Sequence, residues 1–121
     1  MKFLIALVLA ALIQQKDPTA ADASAAIVDG GVAIYATLNN PTMYDAYVQS
    51  GTSAAGKIEL RDGGKTTSNI TIPSFGYVEL KAGGPFVLVK DLKGQPKAGD
   101  SVTVKLETDG GAVITVTAIV K

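Results

Sequence analysis

From Gly31 to Lys121 the apolar residues recur at every second position, in short runs broken by glycine-rich turns. Val32, Ile34, Ala36 and Leu38 fall on one face of Gly31–Asn39 and Ala33, Tyr35 and Thr37 on the other, which is the period of a β-strand. Lys57–Arg61, Tyr77–Lys81 and Ser101–Glu107 alternate in the same way and predict strands with one wet face. Phe86-Val87-Leu88-Val89 is apolar on both faces, so it predicts a central strand with protein on either side. Asp109-Gly110-Gly111 predicts a tight hairpin between Ser101–Thr108 and Ala112–Val120, because Asp-Gly supplies the positive φ angles such a turn needs. Asp29-Gly30-Gly31, Asp62-Gly63-Gly64, Ala82-Gly83-Gly84-Pro85 and Lys97-Ala98-Gly99-Asp100 are further turns. No stretch after residue 24 has a helical period. About seven or eight short strands at this spacing predict an all-β fold, a two-sheet antiparallel sandwich.

The N-terminus follows another pattern. Lys2 precedes an unbroken apolar run, Phe3 to Ile13, and Ala21-Asp22-Ala23 offers a small-x-small cleavage site before Ser24. The run is shorter than the ~20 residues a helix needs to cross a bilayer. Residues 1–23 are therefore read as a signal peptide and 24–121 as a single domain, placed in the periplasm or outside the cell. The alternatives are a cut near Gln14-Gln15 or an uncleaved segment that holds the chain to the membrane.

Composition removes whole classes of function. A chain of 121 residues has room for one hydrophobic core. Eleven basic and eleven acidic residues balance, and without the first 23 residues the count is nine of each, so no field draws the domain to nucleic acid. There is no His and no Cys, and beyond Met1 the only methionine is Met43. Disulfides, thiolate metal sites and the usual nucleophile–base pairs are excluded together. Glu59 and Glu79 alternate with apolar neighbours and are expected to face water from strands rather than act as an acid–base pair. Gly64-Lys65-Thr66 lacks the earlier glycine of a phosphate loop and joins strands, so it is read as a turn. The aspartates at 29, 62, 100 and 109 sit at turns and follow no calcium-loop spacing. Asn69-Ile70-Thr71 is a glycosylation triplet that matters only in a host that modifies secreted chains. No enzyme activity is expected.

Several segments in order carry a family resemblance. Ala33-Ile34-Tyr35-Ala36-Thr37-Leu38-Asn39-Asn40 looks like the opening strand of the periplasmic copper chaperones called PCuAC. Ile72-Pro73-Ser74-Phe75-Gly76-Tyr77-Val78-Glu79-Leu80-Lys81-Ala82-Gly83-Gly84 resembles that family's Ile-Pro-Ala-Gly stretch and the Glu-Leu-Lys-x-Gly-Gly after it. Phe86–Lys93 stands where the family has its His-x-Met strand and the following Leu-Lys. Lys97–Leu106 and the Gly111–Val120 strand resemble its final hairpin. The resemblance implies a cupredoxin-like or immunoglobulin-like sandwich and a site of two His and two Met. Here the first His position falls on Arg61, the second His and Met on Phe86 and Leu88, and the loop Asp62–Asn69 that would bear the first Met contains none. Cu(I) selects thioether, thiolate or imidazole donors. No metal site and no cofactor are therefore expected, copper being implied by the resemblance alone.

Among the remaining aromatics, Tyr35 and Phe86 are read as core residues at strand positions. The irregular stretch Met43-Tyr44-Asp45-Ala46-Tyr47 makes Met43, Tyr44 and Tyr47 the candidates for a partner contact. The function expected is that of a secreted, non-enzymatic, carrier-like binding domain with a protein partner outside the cytoplasm, and a copper-trafficking accessory role is compatible with it. The alternative is a structural cell-surface or filament subunit, a homo-oligomer assembling by strand addition.

Overall fold

A computed structural model describes residues 17–121, and all secondary structure among the described residues is β. There are ten strands: β1 Thr19–Val28, β2 Gly31–Asn39, β3 Ala46–Thr52, β4 Lys57–Asp62, β5 Lys65–Thr66, β6 Ile70–Ile72, β7 Tyr77–Leu80, β8 Pro85–Lys90, β9 Ser101–Thr108 and β10 Val113–Val120. They hydrogen-bond in the order β5-β4-β8-β2-β1-β10-β9-β3-β6, with β7 added to the second half of β2. The sandwich is thus one curled sheet whose halves meet at β1. That strand runs antiparallel to β2 and parallel to β10, through Ser24↔Ile119 and Ala25↔Val120. All other strand pairings are antiparallel.

The inward faces are those the alternation predicts. Val32, Ile34, Ala36 and Leu38 of β2, Val87 and Val89 of β8, and Leu60 of β4 meet Val48, Ile72, Val104, Leu106, Ile114 and Val116 from the other half in one buried cluster. β9 and β10 alternate without exception between exposed and buried positions. β8 lies between β4 and β2, as its two-faced apolar character predicts.

Two local features differ from expectation. The β9–β10 connection is a three-residue loop, with Thr108 N donating to Ala112 O at 2.9 Å and Gly111, at φ 86°, taking the left-handed position. A type I turn followed by a left-handed residue has this shape, so the second glycine rather than the Asp-Gly pair meets the backbone demand. The first strand is the larger difference. Thr19, Ala20 and Ala21 pair with Asn39, Leu38 and Thr37, so the expected cut after Ala23 falls inside β1. The apolar run Phe3–Ile13 lies outside the described residues, and no helix among those described is long and apolar enough to cross a membrane.

Candidate functional site

The positions singled out by the resemblance meet on the outer face of the β4–β8 ladder. Its register sets Lys57 opposite Lys90, Glu59 opposite Leu88 and Arg61 opposite Phe86. Because Ile58, Leu60, Val87 and Val89 point inward, these six residues share the outer face. Directly opposed residues on one face have Cβ atoms about 5 Å apart, so the positions of Arg61 and Phe86 are near enough for their side chains to share one ligand.

The polar side chains on this face bind one another. Glu59 accepts from Arg61 Nη1 and from Lys90 Nζ, each at 3.0 Å. Arg61 Nη2 donates to Gly64 O at 2.9 Å, which ties the guanidinium to the β4–β5 turn. Lys90, opposed by the like charge of Lys57, leans diagonally to Glu59, while Lys57 approaches Asp91 at 4.0 Å. The hydrogen bonds from Lys90 and then Arg61 hold the Glu59 carboxyl below its ordinary value, against a smaller opposing push from desolvation. A carboxyl lowered in this way is a poor proton acceptor at neutral pH. Of the two aromatics expected in the core, Phe86 is half-buried and packs against the buried cluster, while Tyr35 is half-buried beside it, the two rings edge to face with centroids 6.2 Å apart. Leu88 beside them is 8% exposed.

This arrangement offers a metal little. A guanidinium has donors only, and the side chains of Phe86 and Leu88 are hydrocarbon. Among the described residues no three His, Cys, Asp or Glu side chains converge as a metal site would require.

The other sequence candidates lie at the end where β2 stops. Met43 and Tyr44, on the loop from β2 to β3, are 65% and 74% exposed, while Tyr47 lies on β3 and is less open. Asn40, 2% exposed, anchors that loop. Its Nδ2 donates to Tyr44 O and Ile72 O, and its Oδ1 accepts from the backbone N and the hydroxyl of Thr42, so every polar valence of the amide is used. The neighbouring loop docks onto it through Phe75 N to Thr42 O at 2.9 Å and Ser74 N to Asp45 Oδ1 at 2.9 Å. Phe75 and Tyr77, 73% and 62% exposed, therefore join Met43 and Tyr44 at one end. Sequence reasoning did not select these two. The signal was an aromatic set among turn residues in Pro73-Ser74-Phe75-Gly76.

Comparison with solved structures places this architecture. The copper-bound PCuAC domain from PmoF2 superposes with a TM-score of 0.72 at 16% identity, covering 84% of this chain and 90% of that one. The apo PCuAC domain from PmoF1 gives 0.68 at 17% identity over 88% and 90%. The Cu(I)-bound DR1885 of Deinococcus radiodurans gives 0.69 at 26% identity over 82% and 74%. No curated protein matches the sequence. The family described as "Putative lipoprotein LpqE-like" matches residues 13–120, nearly the whole chain. The protein belongs to this LpqE-like family and has the cupredoxin-like sandwich of the PCuAC copper chaperone domains.

Proposed function

We propose that the protein is a non-enzymatic, extracytoplasmic binding domain of PCuAC architecture whose Cu(I) position has been closed. Its role on this reading is carrier-like or accessory, exercised through a protein partner, with no cuprous ion held by its own side chains. The observation that carries this is the pair Arg61 and Phe86, opposed across β4 and β8, with the guanidinium already bound to Glu59 and Gly64 O. Fold and activity separate in this way because packing maintains the sandwich while a few grafted side chains supply the chemistry. The N-terminal apolar run after Lys2 supports export. The absence of His and Cys, together with the lowered Glu59, supports a role without catalysis. Strand addition into filaments is not favoured, since the sheet ends in strands of two and three residues, β5 and β6, too short to template a long pairing.

The test is a titration of the purified chain with Cu(I) against a chromophoric chelator. The expected result is that the chelator keeps all the metal. Stoichiometric transfer of one equivalent to the protein overturns the reading.

A further inference from the structure

We infer that the end of the sandwich bearing Met43, Tyr44, Phe75 and Tyr77 is a lipid-facing surface, which seats the domain on a bilayer in the form of the chain that keeps its N-terminal apolar run. The inference rests on the extracytoplasmic reading above and is independent of copper. These four are the most exposed large apolar side chains among the described residues, and all lie at one end. Large apolar side chains gathered in this way mark a contact surface, whereas scattered ones need no explanation. The surface is built rigidly. Asn40 fixes the first loop, and Phe75 is held at φ 52°, a left-handed conformation that a bulky residue adopts only when its surroundings impose it.

The occupant follows from where the chain leaves the fold. Asp17 and Pro18 line the same hollow as Tyr44, Asp45 and Asp109, so the N-terminal residues depart from this end. Ile13, the last residue of the apolar run, is four residues from Asp17 and thus at most about 14 Å away. A nine-residue strand such as β2 is about 30 Å long, so the far end, with the loop around Gln95, lies beyond that reach. When the run enters a bilayer, the aromatic end is the one brought against it. Tyrosine suits that position, with an apolar ring and a polar tip for the headgroup layer. The hollow beside Tyr44 is lined by Asp17, Asp45 and Asp109 with no Lys or Arg, which favours uncharged over anionic headgroups.

The chain has no cysteine, so single-cysteine variants report cleanly. Y44C, F75C and Q95C in the full chain are each labelled with a nitroxide and mixed with phosphatidylcholine vesicles. A lipid-facing end predicts that labels at 44 and 75 lose collisions with an aqueous nickel relaxant and gain them with dissolved oxygen, while the label at 95 does not change. M43C repeats the measurement without disturbing the conformation of Phe75. Labels at 43, 44 and 75 as water-exposed with vesicles as without them overturn the proposal. So does protection already complete before lipid is added, which would mean that the chain's own N-terminal residues or a second copy covers the surface. Failure of export in cells is read by fractionation and leaves this measurement on purified protein unaffected.

Discussion

The β9–β10 and β4–β8 ladders are both regular antiparallel pairs with one face in the core, yet their outer faces differ in kind. On β9–β10 the outward positions are Ser101, Thr103, Lys105 and Glu107 beside Val113, Thr115, Thr117 and Ile119, all exposed. On β4–β8 the outward Leu88 is buried, Phe86 leans on Tyr35, and Glu59 is clasped by Arg61 and Lys90. A plain solvent face needs only polarity, whereas a face with its own packing and ion pairs is specified residue by residue. In this chain the specified face coincides with the positions at which the PCuAC resemblance places a metal, and the function proposed above treats it as that frame filled by other side chains.

The comparison is sharpened most by refilling that frame. The triple variant Arg61→His, Phe86→His and Leu88→Met puts two imidazoles and a thioether on one face and is expected to convert no Cu(I) uptake into one bound equivalent, measured by chelator competition. A folded triple variant that still takes up no Cu(I) would show that the backbone, and not the side chains alone, has closed the site. A smaller effect tests whether the β4–β8 outer face is packed. Leu88→Ala is expected to cost about 2 kcal/mol in urea denaturation, at the low end for a buried leucine because Leu88 keeps a small exposure of 8%. Thr115→Ala, outward on β10, should stay within about 0.5 kcal/mol. Equal costs at the two sites would remove the distinction.

A third effect depends on pH. Glu59 has a folded pKa below its unfolded one, so its ion pairs stabilise the fold above the ordinary carboxylate range and that contribution is lost as pH falls through the folded value. The advantage of the native chain over Glu59→Gln, within about 1 kcal/mol for pairs partly open to solvent, should be present at pH 7 and shrink below about pH 4. A difference independent of pH would assign Glu59 a packing role instead.

Much of this was legible beforehand, for local reasons. The inward faces of β2, β4, β8, β9 and β10 follow from a period of two, and the two-faced run Phe86–Val89 announced a strand between neighbours. β1 was missed because Thr19–Val28 is rich in alanine and has no clean alternation. The bulge between Ala21 and Ser24, with Asp22 at φ 54°, resets its register midway. The aromatic end was half visible: Met43 and Tyr44 stood out as irregular, but nothing local brings Phe75 beside them.

The sequence by itself determined the class of fold, through alternation and turn chemistry, and it determined the donor inventory, since a chain without imidazole or thiol carries that lack into any conformation. Only the tertiary structure decided which side chains meet. Glu59 reaches Lys90 across 31 positions, and Asn40 reaches Ile72 O across 32. Such pairings are set by strand order and register, which the core selects as a whole and no short window of residues encodes.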